Sequence, residues 1–307
     1  MEGSTMLLTD PNDKSQLKAL EERYADGVGV ANRPGGNPRP DAACWAILAL
    51  QAAGGDNGVI EKARQQLAAV QGEDGRITVS SYNPDACWPT SLAILAWQGA
   101  PSYRECQDKA IRFLVDFDDI KVLDPSEATK GHDETIKGWP WIARTHPWVE
   151  PTAYATLALR ASGQTTHSRA QDAIRLLLDR QLPSGGWNCG NTITFNLEMR
   201  PMPETTGLSL QALAGLTPKA DVQKSIAYLQ SQLAYLNSPI SLAWAILGLH
   251  ARQESIDRPR ERILQVLARQ EQLGPHDTVS LSLLLLAWHC EAGLIPFFEG
   301  SDSQDEK

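Results

Sequence analysis

Acidic side chains stand at the start of several similar apolar segments in this 307-residue chain. Asp41, Asp85, Glu150 and Glu204 each lie at, or just before, a run of small and aliphatic residues. If carboxyl groups converge on one cavity they cannot all ionise cheaply, so one is held protonated and can act as a general acid. Taken singly, an acid at a helix start also stabilises free N–H groups and the helix dipole, which is the simpler interpretation.

Aromatic residues gather in front of the third apolar segment, within residues 138–150. Such a surface would suit an apolar chain, or would stabilise a carbocation through the ring faces. The alternative is a loop that its own aromatic side chains pin to the rest of the protein. The candidates for ligand contact are Trp88, Trp139, Trp141, His146, Trp148 and Trp187.

The segments that carry these residues recur along the chain. Close copies begin at Asp41, Trp88, Glu150 and Glu204, and looser copies cover residues 238–249 and 277–288. They are apolar nearly all round, as helices packed on both sides must be. Amphipathic segments with charges on one face alternate with them, at residues 15–24, 60–70, 104–115, 168–180, 220–232 and 258–269.

Six such outer–inner pairs predict an all-α fold, a single (α/α)6 toroid that spans residues 1–298. An open solenoid would need polar capping repeats, whereas the last inner segment is among the most apolar, so we expect a closed ring. Inner helices of such a ring run parallel, and their acidic starts would meet at one mouth. Residues 117–149 and 188–203 are insertions, and residues 299–307 predict a disordered acidic tail.

Composition limits the classes of binding partner and the cellular compartments that we expect. The net charge of −9 repels phosphate backbones, so we expect no nucleic acid partner. Residues 281–286 form the most apolar stretch, which is too short to span a bilayer, and no secretory signal opens the chain. Five scattered cysteines without a CxxC pair fit a reducing environment. We therefore expect a soluble cytoplasmic protein with an apolar small-molecule ligand.

The turn after the fourth outer segment contains Gln181 followed by Gly185, Gly186 and Trp187. It resembles the QW repeat of squalene-hopene cyclases and their relatives, in which Gln closes an outer helix and Gly-x-Trp follows. Weaker copies are Gln71 with Gly75, and Gly138 with Trp139. The resemblance implies the toroid of terpenoid cyclases and protein prenyltransferases and an isoprenoid ligand. A Gln can bond orphan backbone groups while the Trp covers a joint, so Gln181 and Trp187 are expected to clamp the repeat.

This resemblance implies two kinds of site. Proton-initiated cyclases carry an Asp-x-Asp-Asp motif, and Asp116-Phe-Asp118-Asp119 matches it, but after an outer helix, where charge runs are usually solvated. Protein prenyltransferase β subunits use Asp-x-Cys and His on zinc, similar to Asp85, Cys87 and His146, and need a helical-repeat partner. Cys44 at the matching place in the first repeat favours plain core for Cys87. We expect no cofactor, with zinc and a protein partner as alternatives.

Three functions therefore remain open. The first is an isoprenoid-transforming enzyme, and the second is a non-catalytic toroid that binds an apolar ligand or a partner protein. The third uses the fold alone, because α/α toroids also serve carbohydrate-active enzymes with paired carboxylates and stacking Trp residues. A thioester domain is excluded because the sequence lacks Gly-Cys-Gly-Glu-Gln.

Overall fold

The computed structural model of the chain describes residues 14–122 and 131–300. Within these ranges the apolar repeats form six inner helices. They are α2 (Pro40–Ala53), α4 (Pro89–Ala96), α6 (Val149–Ala161), α8 (Pro203–Leu213), α10 (Pro239–Ala251) and α12 (Thr278–His289). Every residue of α4 is buried, which explains why the sequence is apolar around the whole helix.

Amphipathic segments form six outer helices. They are α1 (Lys14–Glu21), α3 (Asn57–Ala69), α5 (Arg104–Asp116), α7 (Ser168–Asp179), α9 (Gln223–Gln232) and α11 (Pro259–Glu271). A further helix, α13 (Leu294–Gly300), follows the last inner helix. Short 3-10 turns occupy Pro101–Tyr103, Lys219–Val222 and Leu233–Tyr235. Two antiparallel hairpins lie in the connections between outer and inner helices. Strand β1 (Tyr24–Ala25) pairs with β2 (Gly29–Val30), and β3 (Ile193–Thr194) pairs with β4 (Leu197–Glu198).

The inner helices close into a ring. Each packs against the next in chain order, and α12 packs against α2. Outer helix α1 lies against both α12 and α2, so the first and last pairs meet side by side. Thr278 fastens this joint, because its amide donates to Asn32 O at 2.8 Å and its hydroxyl to Ala31 O at 2.6 Å. The chain is thus an all-α toroid, and the predicted closed ring is confirmed.

The ring is tightest between α8 and α10, where two glycines face each other. A Cβ atom on Gly207 would lie 2.2 Å from Trp244 O, and one on Gly248 would lie 2.4 Å from Gly207 O. No side chain fits between backbones this close, so both positions require glycine.

The two ends of the ring differ. First turns of neighbouring inner helices touch, since Thr205 on α8 bonds Glu150 on α6 and Ser241 on α10 bonds Glu204 on α8. The inner helices therefore run parallel, and their N-termini surround one mouth. Helix α13 packs against α6 and α10 at the other end, with Leu294, Ile295 and Phe298 buried. This helix closes that end.

Helix α13 ends at Gly300, two residues beyond the predicted domain limit of 298, and residues 301–307 lie outside the described part of the chain. No single described helix is long and apolar enough to cross a bilayer. The five cysteines are free thiols.

Candidate functional site

An aromatic cluster fills the axis of the toroid beneath the mouth. Trp45 on α2 and Trp244 on α10 lie 5.7 Å apart between ring centroids, although their helices are not neighbours in the ring. Tyr154 on α6 contacts both rings, at 6.0 and 6.3 Å. Trp45 and Trp244 are buried, so they form the floor of the mouth and block passage down the axis.

Two half-buried rings extend the cluster towards solvent. Trp88 lies nearly parallel to Tyr154, with centroids 6.1 Å apart and planes 28° apart. Trp141 meets Trp88 edge to face at 5.1 Å. Its backbone belongs to the connection that leads into α6, so the predicted aromatic loop does reach the mouth. Trp88, Trp141 and Tyr154 are each partly exposed, and together they form an aromatic wall at the mouth.

Carboxylates from successive inner helices lie beside this wall. Glu150 Oε1 accepts a hydrogen bond from Thr205 Oγ1 at 3.0 Å, and Glu204 Oε2 accepts one from Ser241 Oγ at 2.8 Å. Each acid thus bonds a hydroxyl on the next helix. Asp41 differs, because Arg39 binds both its oxygens, at 2.8 and 3.0 Å.

Glu150 is set up to hold a proton. Burial raises the pKa of its carboxyl and outweighs the hydrogen bonds from its own amide and from Thr205, which lower that pKa; the negative charge of Glu204 adds to the rise. Its second oxygen, Oε2, is buried and has no hydrogen-bond partner among the described residues. A protonated carboxyl would carry its proton there. Burial also raises the pKa of Tyr154, and the charges of Glu150 and Asp41 add to this effect, so the phenol stays neutral.

Sulfur atoms complete this side of the mouth. Cys189 Sγ lies 3.8 Å from Met202 Sδ. Burial raises the pKa of the Cys189 thiol, and the nearby charges of Glu150 and Glu204 raise it further. The thiol is therefore protonated, and it adds polarisable apolar surface rather than a nucleophile.

Asp85 does not join the other acids. It lies four residues before α4, where it pairs with Arg144, and its carbonyl accepts from the Ala143 amide at 2.9 Å. These bonds turn it towards a separate surface cavity of about 670 Å³. Glu150 and Glu204 thus lie at adjacent helix starts, and Asp41 lies within electrostatic range of Tyr154. Asp85 differs, because it is held by Arg144 and the Ala143 amide.

The Asp116–Asp119 motif lines the same surface cavity. Asp118 pairs with Lys137 at 2.5 Å, and Arg144 reaches Asp119 at 3.1 Å. The Lys137 ammonium lowers the pKa of Asp118, which keeps this carboxylate ionised. An ionised, solvated aspartate is not a general acid, in agreement with the expected solvated loop.

Asp85, Cys87 and His146 do not form a zinc site. Across residues 14–122 and 131–300, no three His, Cys, Asp or Glu side chains converge as metal ligands. Cys87 is buried, and burial raises the pKa of its thiol to about 11. His146 is exposed and packs on Trp148, with ring centroids 5.5 Å apart. The structure gives the zinc alternative no support: Asp85 and Cys87 both line the surface cavity, but His146 does not join them there.

Trp139 and Trp187 lie between outer and inner helices, away from the mouth. The Trp187 indole donates to Leu177 O at 2.6 Å, and its amide donates to Thr206 Oγ1 at 2.9 Å. Trp139 repeats this arrangement with Leu114 O at 3.2 Å and Thr152 Oγ1 at 3.0 Å. Both rings are buried and joined to the frame, so their location differs from that of a ligand contact.

The glutamine of the repeat also clamps its neighbours. Gln181 Nε2 donates to Ser225 Oγ at 2.9 Å, and that hydroxyl accepts from the Gly186 amide at 2.7 Å. Gln71 Nε2 bonds Gly75 O at 3.0 Å and Cys106 O at 2.9 Å. The turn thus ties one outer helix to the next.

Sequence reasoning missed three residues of the cluster, Trp45, Tyr154 and Trp244. The sequence does contain a pattern that could have identified two of them. Trp45 and Tyr154 are each the fifth residue of their apolar segments, which begin at Asp41 and Glu150. Inner helices that share one register project their fifth side chains to the same depth, which is why these rings meet on the axis.

No family model and no curated protein sequence matches the chain. Solved structures share its architecture. A protein from Actinoplanes has a TM-score of 0.59 at 16% identity, covering 91% of this chain and 99% of that one. The GH76A alpha-1,6-mannanase from Salegentibacter sp. HEL1_6 has a TM-score of 0.59 at 14% identity, over 92% and 99% of the two chains. A type II terpene cyclase from Scytonema has a TM-score of 0.50 at 14% identity, over 90% and 96%. At these identities the likeness is one of fold.

Proposed function

We propose that the chain binds an isoprenoid-type ligand across the mouth of the toroid and that Glu150 supplies a proton to it. The observation that carries the proposal is the Glu150 carboxyl, whose buried Oε2 has no partner among the described residues and whose pKa burial raises. This acid lies on the same helix as Tyr154, one turn away, so proton donor and aromatic wall are adjacent.

The aromatic wall suits this ligand in two ways. Ring faces of Trp88, Trp141 and Tyr154 pack against an unsaturated hydrocarbon chain, and they attract positive charge through their π electrons. A proton added to one carbon of an alkene leaves a carbocation on the other. That cation would form beside the rings and would end by losing a proton or by adding water.

The floor limits how the ligand lies. Because Trp45 and Trp244 meet at 5.7 Å on the axis, a long chain has no passage between the inner helices. It would lie across the mouth, with one segment over Glu150. This geometry favours linear or small cyclic isoprenoids over a bulky polycycle.

A carbohydrate ligand is the second candidate. Glu150 and Glu204 stand in the same mouth, close enough for their charges to interact, and glycoside hydrolases use a pair of carboxylates beside stacking aromatic residues. The fold is shared with an alpha-1,6-mannanase. We rank this candidate second, because Trp88, Trp141 and Tyr154 make the wall predominantly apolar.

Binding to two probes separates these functions. Tryptophan fluorescence of the purified chain would be titrated with geranylgeraniol and, separately, with alpha-1,6-mannotriose. We expect saturable quenching by geranylgeraniol that Trp141→Ala weakens at least about tenfold. Saturation by mannotriose alone would support the carbohydrate function. Geranylgeraniol binding that Trp141→Ala leaves unchanged would contradict the proposed location.

A further inference from the structure

In the described part of the chain, exposed large hydrophobic side chains lie at one end of the toroid only. Among the described residues there are eleven, each in an outer-to-inner connection or at a helix end beside one. We call them the apolar rim. They are Val28, Val70, Tyr82, Val122, Ile142, Phe195, Leu197, Met199, Tyr235, Ile240 and Leu273. The connections at the opposite end contain none within the described ranges.

The apolar rim goes all the way round the mouth. Each of the six outer-to-inner connections contributes at least one of its residues, from Val28 in the first to Leu273 in the last. Because these connections enter the inner helices around the mouth, their exposed side chains form an annulus. A folded partner protein would need only one sector of such a ring, whereas a flat layer contacts every sector.

One sector presents its side chains at a backbone cost. Phe195 and Leu197, at the β3–β4 hairpin, are 94% and 71% exposed. Phe195 and Asn196 have φ angles of 52° and 62°, a conformation that is uncommon for an aromatic residue. The two-residue turn requires this backbone, but it does not require an aromatic side chain, and Phe195 does not belong to the hydrophobic core. The hairpin therefore fits a role in contact with another surface.

Charges of both signs stand among the rim residues, as in a zwitterionic headgroup layer; Glu198, for example, lies between Leu197 and Met199. Lys121 stands beside Val122, and Arg200 beside Met199; neither base has a side-chain hydrogen bond or ion pair among the described residues. Apolar tips beside unpaired cations suit a bilayer interface, where the tips enter between headgroups and the cations meet phosphate oxygens. The overall charge of −9 opposes strongly anionic membranes, which leaves a zwitterionic surface.

We propose that the apolar rim docks the mouth of the toroid onto a zwitterionic phospholipid bilayer. Docking is interfacial, since no single described helix could span the membrane. A lipid-soluble ligand would then pass from the bilayer into the mouth without crossing water. That last step rests on the proposed function, whereas the exposure of the rim does not.

Vesicle co-sedimentation tests the inference. The full chain would be mixed with sucrose-loaded phosphatidylcholine vesicles and compared with the double variant Phe195→Asp/Leu197→Asp. A matched control, Thr166→Asp/Ser255→Asp, adds the same charges at exposed positions of the opposite end. Thermal unfolding verifies that all three fold. Quenching by geraniol, which is water-soluble enough to need no vesicle, reports on the mouth separately.

We expect the wild type and the control to sediment with vesicles, and the rim variant to bind at least about tenfold more weakly with its geraniol binding intact. A wild type that stays in the supernatant would overturn the inference. So would a rim variant that sediments like the wild type, or a wild-type dimer in solution that the rim variant converts to monomer. If the wild type does not bind geraniol, the result contradicts the proposed function and not the docking inference, which the vesicle experiment tests separately.

Discussion

The Glu150 carboxylate on α6 accepts a hydrogen bond of 3.0 Å from the Thr205 hydroxyl on α8, and this bond leaves the second carboxylate oxygen buried without a partner among the described residues. Glu204 repeats the relationship with Ser241 on α10. Adjacent inner helices are thus joined at their first turns by acid–hydroxyl pairs. The pair at Glu150 differs because its acid also faces the aromatic cluster.

The raised pKa of Glu150 predicts that this residue lowers stability above the ordinary glutamate pKa. Between the ordinary value of 4.5 and the raised one, the folded chain holds the proton more tightly than the unfolded chain, so stability falls as pH rises. A tenfold difference in proton affinity between the two states corresponds to about 1.4 kcal/mol. Glu150→Gln keeps the bond to Thr205 and removes the charge. We expect its melting temperature to exceed that of the wild type at pH 8 and to approach it at pH 4; parallel profiles would contradict the assignment.

The hydrogen bond from the Trp187 amide to the Thr206 hydroxyl predicts a loss of stability when that hydroxyl is replaced by a methyl group. Thr206 Oγ1 accepts from the Trp187 amide at 2.9 Å, and Thr206→Val would leave that buried amide unpaired. We expect a loss of about 1–3 kcal/mol in urea unfolding. Thr166→Val, at an exposed position, should change stability by less than about 0.5 kcal/mol. Equal effects of the two changes would show that the bond between Trp187 and Thr206 contributes little to stability.

Close packing of α8 on α10 predicts that Gly207→Ala is among the most damaging small substitutions. The added methyl would lie 2.2 Å from Trp244 O, so the two helices must separate. Overpacking of this kind costs about 1–3 kcal/mol or more. Gly58→Ala is the control with a milder clash, because its methyl would meet a side-chain oxygen of Asp56 at 2.9 Å and no backbone atom outside its own helix within 4 Å. Denaturation midpoints that fall alike in both variants would refute the close approach.

Two tryptophans should respond in opposite ways. Trp187 is fully buried, and Trp187→Ala should cost about 3–5 kcal/mol through the cavity it leaves. Trp141 is half-buried at the mouth, so Trp141→Ala should cost less stability and should weaken ligand binding at least about tenfold. Chemical denaturation and fluorescence titration of both variants check this. A stable Trp187→Ala variant that fails to bind the ligand would contradict the account, because it would place the ligand at Trp187 and not at Trp141.

The sequence was sufficient to predict the toroid, because the alternation of apolar and amphipathic segments repeats six times along the chain. Aligned segments that are apolar all round had to be inner helices, and parallel inner helices brought Glu150 and Glu204 to one mouth. Contacts across the ring could not be predicted in this way. Trp45 and Trp244 are far apart in sequence, and their meeting depends on the ring diameter, which no local pattern specifies.

Asp85 illustrates the second limit. Asp41 and Glu150 lie in the first turns of α2 and α6, whereas Asp85 lies in the connection before α4, which the neighbouring loop holds through Ala143 and Arg144. Where a side chain points from a loop depends on tertiary contacts of that loop, whereas a residue in the first helical turn is oriented by the helix itself.

The most direct test of the account is proton delivery by Glu150. The chain would be incubated in D2O with geranylgeraniol, and products would be analysed by gas chromatography with mass spectrometry. We predict a cyclised or isomerised product that carries one carbon-bound deuterium, and its absence with Glu150→Gln, whose melting temperature reports an intact fold. Deuterated product formed equally by Glu150→Gln, or a wild type that binds geranylgeraniol and never transfers deuterium to it, would contradict the role assigned to Glu150.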